Sequence, residues 1–295
     1  MPVSAAFLLV VIIWSTTPLG IVWSSESISP TFSLLMRMTV AICVGSVLMV
    51  ALKVKLQWTL KAVRIYLYSS LSVAIGMLFC YLAARHISSG LMSLTFGIAP
   101  ILSGLLAQKI LFEQKFSLLK KVALLISLSG LAIVCSENVT FGATSLLGLG
   151  YVFIAVLLFS LSSVLVKSVD IEIHPLSTTM GSLIVSLPFF LVFWLVADGQ
   201  VNYQDWQPRA IAAVLYLGVF ASLIGFLAYF FILQKLPAST VALVVMITPV
   251  ISTGLGILLN DEHLSWLLIV GGGFVVLGLG LFQFGHKVKW FRAKA

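Results

Sequence analysis

Two prolines and two glutamates stand in matched places. Pro100 lies near the middle of an apolar stretch that begins with a short polar entry at Ala84 and ends at Glu113. Pro249 lies in a second stretch, from Leu233 to Glu262, offset by about 149 residues. As helices, both stretches lose a hydrogen bond at the proline, which frees the carbonyls of Phe96 and Val245 and bends the axis. A bent helix at mid-depth can shape a cavity or serve as a hinge, and Pro18 is a third candidate. Arg37 is the basic residue placed firmly inside an apolar run. A charge there costs a few kcal/mol on insertion scales, so it should face protein or water. It either attracts a carboxylate or snorkels and bonds helix-end carbonyls.

Aromatic and hydroxyl groups recur at similar depths: Trp14, Phe79, Tyr81, Phe96, Phe159, Phe226 and Tyr229, with Thr16, Thr17, Ser93, Thr95, Ser160, Ser163 and Thr248. Walls of this kind suit an amphipathic, partly apolar ligand. Each aromatic has a plainer use in packing or facing lipid, and each hydroxyl can bond a carbonyl one turn back. Chemistry of other kinds is missing. Cys43, Cys80 and Cys135 lack metal-ligand spacing and read as small packing residues. There is no Walker loop, HExxH or GxSxG, which argues against ATP-driven pumping and the common hydrolytic sites. All nine acidic residues fall at the ends of apolar runs or between them. A buried carboxylate relay for protons is therefore not available. Transport would be gradient-driven, or an antiport coupled through the substrate's own charge. No metal or cofactor is expected, and no enzymatic activity.

The elements that must position these residues are membrane helices. Hydrophobic residues make up 61% of the chain and charged residues 9%, against about 25% in a soluble domain. A backbone in lipid must satisfy its own hydrogen bonds, so apolar runs long enough to cross a core of about 30 Å are read as helices. Ten spans are expected, at about 3–23, 30–52, 64–84, 89–111, 118–135, 145–167, 175–196, 210–233, 239–259 and 264–284. The first is expected to be a retained helix rather than a cleaved signal peptide. With the N-terminus cytoplasmic, 14 of the 17 basic residues fall on the inner side, including Lys287, Lys289, Arg292 and Lys294 of a basic tail. This is the positive-inside pattern, with both termini inside. The net charge of +8 is thus a topology signal directed at anionic lipid heads, not a nucleic-acid surface.

The duplication extends along the chain. Trp14-Ser15-Thr16-Thr17-Pro18 aligns with Phe159-Ser160-Leu161-Ser162-Ser163, Pro30 with Pro175, and Gly76 with Gly225. Two five-helix halves follow, 1–140 and 141–295. Five is odd, so the halves enter the membrane from opposite sides, and folds of that kind place the substrate near the midplane where the halves meet. The last span carries Gly271, Gly273, Gly278 and Gly280, a close-packing or homodimer face.

These features resemble the EamA branch of the drug/metabolite transporter superfamily. The resemblance rests on Trp14 to Pro18, Arg37, Pro100 with Glu113, and Pro249 with Asp261 and Glu262. It implies a ten-helix secondary carrier of the inner membrane, often an exporter of amino acids or related metabolites. It further implies a cavity lined by the first, third, fourth, sixth, eighth and ninth spans. One departure is visible: Ser182 stands where the first half has Arg37. The leading expectation is an alternating-access exporter of small amphipathic metabolites, with aromatic amino acids as the first trial. Uptake by the same fold, or flipping of a lipid-linked head group, are the rivals, and a membrane enzyme is remote. The expected partners are a small-molecule substrate and the bilayer, with the protein a monomer or homodimer. Glu113 and Glu262 are expected to cap helix ends rather than to gate.

Overall fold

The computed structural model describes residues 2–140, 143–241, 244–262 and 265–284. The side chains of 134–140, 143–144, 239, 245–247 and 283–284 fall outside that description. So do the basic tail, His263, His286 and the Cys135 thiol. The described chain is helical throughout, with short connections.

Helices begin where the sequence supplies a cap or a proline. They are α1 (Val3–Ser24), α2 (Pro30–Ala51), α3 (Leu60–Ala83), α4 (Ser89–Ile110), α5 (Leu118–Thr140), α6 (Ala143–Ser168), α7 (Pro175–Ala197), α8 (Pro208–Lys235), α9 (Val244–Asn260) and α10 (Trp266–Phe284). Pro30, Pro175 and Pro208 occupy first turns, where a missing N–H costs nothing. The α3 helix starts earlier than expected because Thr59 Oγ1 accepts from Ala62 N at 3.2 Å. Seven of these helices, α1 to α4 and α6 to α8, are long and apolar enough to cross a membrane. The described parts of α9 and α10 are shorter apolar segments, Thr248–Asn260 and Trp266–Phe282.

Three departures from regular helix bear on function. The α4 helix is broken rather than merely bent. It runs Ser89–Phe96, tightens at Gly97 and Ile98, and resumes at Ala99 with Pro100 in the first turn of the new segment. Pro249, its counterpart, sits inside a continuous α9. The same proline thus ends one helix and only interrupts the bonding of the other. The second and third departures are π-helical stretches, Leu71–Gly76 in α3 and Leu217–Ile224 in α8, which abut or include the matched glycines Gly76 and Gly225. Such stretches are rare and gather at functional sites.

The principal packing is between halves. α1 lies on α8 and α9, α2 on α7 and α8, α3 on α6 and α7, α4 on α6 and α9, and α5 on α10. One continuous apolar core results, with a satellite cluster where Ala123 meets Val275, Leu279 and Phe282. The glycines of α10 divide into two faces. Gly271 and Gly278 press on α5, whereas a Cβ at Gly273 or Gly280 would meet nothing within 4 Å among the described residues of other elements. The Gly271/Gly278 stripe therefore packs within the chain and is not a dimer face. A Cβ at Gly278 would lie 2.6 Å from Ser127 N and 2.7 Å from Ala123 O, backbone atoms that cannot step aside. Gly278→Val should cost about 2 kcal/mol or more, seen as a lower Tm in detergent, while Gly273→Ala should change little.

Candidate functional site

Two cavities meet at mid-depth. The upper one, toward the end where α1 finishes, is lined by Trp14, Thr17, Pro18, Ile21, Met77, Cys80, Met92, Ser93, Phe96, Phe159 and Thr248, around roughly 500 Å³ of space between atoms. The lower one, about 440 Å³, is lined by Trp14, Phe96, Ser103, Phe159, Ser160, Ser163, Tyr229, Ala238 and Val241. Trp14, Phe96 and Phe159 belong to both and form an aromatic septum between them. Phe96 meets Phe159 edge to face at 5.5 Å, and Trp14 lies 5.0 Å from Tyr229 and 6.3 Å from Phe226. Such ring pairs contribute about 0.5–1.5 kcal/mol beyond their buried area. The walls come from α1, α3, α4, α6, α8, α9 and the short turn Ala238–Val241.

Local structure explains how the polar groups are presented. In α1, Thr17 Oγ1 bonds the carbonyl of Ile13 at 2.9 Å and Ser15 Oγ that of Val11 at 2.7 Å, just before Pro18. Their hydroxyl protons are thereby used, which leaves Thr17 oxygen on the wall as an acceptor. Ser163 Oγ similarly bonds Ser160 O at 2.8 Å, and Ser160 Oγ reaches Ala99 O at 3.4 Å, across to the broken α4.

Several expected residues sit elsewhere. Thr16 Oγ1 pairs with the Tyr216 hydroxyl at 2.6 Å, tying α1 to α8. Phe79 packs on Tyr151, and Thr95 bonds the Leu91 carbonyl inside α4. Phe226 is buried behind Trp14. Pro100 and Pro249 are buried without lining either cavity. Arg37 and Tyr81 are 0% exposed and line neither cavity, Tyr81 being the residue after the wall residue Cys80. Arg37 does not snorkel, because its Nε donates to Ser222 Oγ on α8 at 2.7 Å. Helical periodicity alone could not separate a wall position from the one behind it.

The clearest feature missed in the sequence closes the upper end. The Glu262 carboxylate accepts from Ser89 N at 3.0 Å, Ser89 Oγ at 2.7 Å and Gly90 N at 3.3 Å, so it caps the start of α4 in the other half. Asn260 Nδ2 donates to the same carboxylate at 3.3 Å, and its Oδ1 accepts from Trp23 Nε1 at 2.9 Å. Capping was expected, but not across the halves. Glu113 has the same backbone setting. Phe112 and Asp261 both take left-handed φ, 54° and 49°. Glu113 N bonds Ala107 O and Glu262 N bonds Gly256 O, each six residues back, closing the preceding helix. Yet among the described residues the Glu113 carboxylate accepts no hydrogen bond. A helix start in a symmetric fold, placed opposite an acidic helix end, was the available signal.

Apolar helices enclosing paired cavities at mid-depth define a multi-pass membrane transporter. The chain belongs to the EamA-like transporter family, whose model matches residues 2–136 and again 146–283. It is a non-enzymatic transporter of the drug/metabolite type, built from two copies of one repeat. An uncharacterized transporter of Archaeoglobus fulgidus is 22% identical over 272 residues, covering 92% of this chain and 95% of that one. Protein PagO of Salmonella typhimurium is 26% identical over 261 residues, covering 86% and 83%. One solved crystal structure shares the fold with a TM-score of 0.69, over 97% of this chain and 98% of its own, at 15% identity.

Proposed function

We propose that the chain is an alternating-access exporter of small amphipathic metabolites such as amino acids, aromatic ones included. In this reading α5, α9 and α10 also cross, giving ten spans as two inverted repeats, 1–140 and 141–295. Both termini then lie on the basic, cytoplasmic side of the cell's inner membrane. The observation that carries the reading is the septum. Trp14 and Phe159, at matched positions of the two repeats, stand together between two cavities that extend toward opposite ends. A ligand with an apolar ring and a polar end would stack on these rings and bond Ser93, Thr248 or Ser163.

In this topology the tie made by Glu262 and Asn260 lies on the outer side, and we read the described conformation as closed there. Exchange of the two halves' conformations would release that tie and open the upper cavity. Uptake would use the same parts in reverse.

A second reading has one observation in its favour. A lateral groove between α1, α7 and α8 combines Leu9, Leu227 and Phe231 with Glu172, His174 and Lys235, the pairing of surfaces that a flippase would need for tail and head group.

Counterflow of a labelled amino-acid panel in proteoliposomes separates these. Saturable exchange of a panel member is expected. Movement of a lipid probe without such exchange would overturn the carrier reading and favour the groove.

A further inference from the structure

We propose that Arg37 and its neighbours form a binding site for one negative charge, supplied by a monocarboxylate or by a halide ion. The site rests on the carrier reading only for its place beside a transport cavity.

Arg37 is 0% exposed, about a third of the way along α2. Of its five N–H donors, Nε is used, on Ser222 Oγ. Nη1 and Nη2 are both buried and have no partner among the described residues. Its Cζ lies 6.0 Å from the centre of the Tyr81 ring, and the Tyr81 hydroxyl is also buried without a partner. Ser33, one turn earlier on the same face of α2, is 0% exposed with an unpartnered hydroxyl. The cluster is thus rich in donors. The ion pair found among the described residues, Arg209 with Glu26, lies in exposed positions outside α2 and does not involve Arg37.

A guanidinium cannot shed its proton as a buried lysine can. Left alone in the interior, its charge costs several kcal/mol. Among the described residues no carboxylate pairs with this guanidinium, and another molecule can supply the counter-charge. The two free Nη groups form the flat edge that meets a carboxylate with two parallel bonds. A single guanidinium balances one charge, which favours a monocarboxylate or halide over a phosphate dianion. Ser222 belongs to the π-helical stretch of α8, the Leu71–Gly76 π stretch lies on α3 before Tyr81, and Cys80 beside Tyr81 lines the upper cavity. Extra residues in a π turn let a helix shift locally without losing its bonding.

The test is thermal unfolding of the full-length protein in detergent, at constant ionic strength set by a bulky sulfonate salt. Chloride, phenylacetate and neutral phenylacetamide are titrated separately. The expected result is a saturable rise in Tm with chloride, phenylacetate or both, and none with phenylacetamide. Arg37→Met should abolish the rise, and Arg37→Lys, which keeps the charge but loses the fork, should move the midpoint up by about tenfold. A response to chloride alone assigns a resident halide, and a response to phenylacetate assigns the substrate's carboxylate. No saturable rise with either anion overturns the site. So does a rise that survives in Arg37→Met or, should that variant not fold, an unchanged midpoint in Arg37→Lys. Failure of counterflow would leave this binding result standing, whereas a carrier that binds neither anion would keep transport and lose the site.

Discussion

Replacing Glu262 by alanine should raise the rate at which an impermeant thiol reagent, added from outside, labels Cys80 by about 10- to 100-fold. Cys80 lines the upper cavity and is 3% exposed, below the tie that Glu262 makes to the start of α4. Hydrogen bonds to a charged group contribute about 1.5–3 kcal/mol, and a carboxylate at a helix start gains a further ~0.3–1 kcal/mol from the dipole. Removing them shifts the closed-to-open balance by the corresponding factor. The measurement is made in right-side-out vesicles with Cys43 and Cys135 replaced by serine. Ser89→Ala should give part of the effect. Glu113→Ala should give less, because Ala238 and Leu111 stand where the upper tie has Ser89 and Asn260. The repeat has kept its geometry at both ends and its bonding groups at one. Unchanged labelling in Glu262→Ala would mean that the upper end is held shut by apolar packing alone.

On the proposed carrier reading, Trp14→Ala should lower counterflow of whichever panel member exchanges best at least tenfold, mainly by raising the half-saturating concentration. The indole borders both cavities and leans on Tyr229 and Phe226. Its loss removes one ring contact to the ligand and merges the cavities, a combined cost of about 2 kcal/mol, or roughly 30-fold in affinity. Trp14→Phe should recover most of the activity. Equal half-saturation in wild type and Trp14→Ala would move the ligand away from the septum and toward the lateral groove. Phe226→Leu, by contrast, should act on stability more than on affinity, since Phe226 touches the back of Trp14.

The candidate site was legible to the depth that helical periodicity allows. Trp14, Phe96 and Phe159 were marked by type and depth, and the structure brings them together. Phe79 and Thr95 were marked by the same criteria, and one faces Tyr151 while the other bonds within its own helix. Sequence gives the height of a residue along a helix to within a turn, but the azimuth depends on which neighbour the helix meets. The glycines of α10 teach the same lesson. Their spacing announced close packing, and only the position of α5 decided that Gly271 and Gly278 are covered and Gly273 and Gly280 are open.

The sequence by itself determined the solvent, the helical class, the duplication and the family. Each of these follows from sums over many residues: hydropathy over a span, charge over the connections, and repetition at an offset of about 149. Tertiary structure decided what depends on single contacts. It set Arg37 against Ser222 rather than the lipid heads, and it drew Glu262 across to Ser89. It also made Pro100 a break and left Pro249 inside a helix. A doubled sequence fixes two equal sets of possibilities. A single conformation gives each set different neighbours, as Glu262 with Ser89 and Glu113 without such a partner among the described residues show, so the equality is lost only when the halves pack.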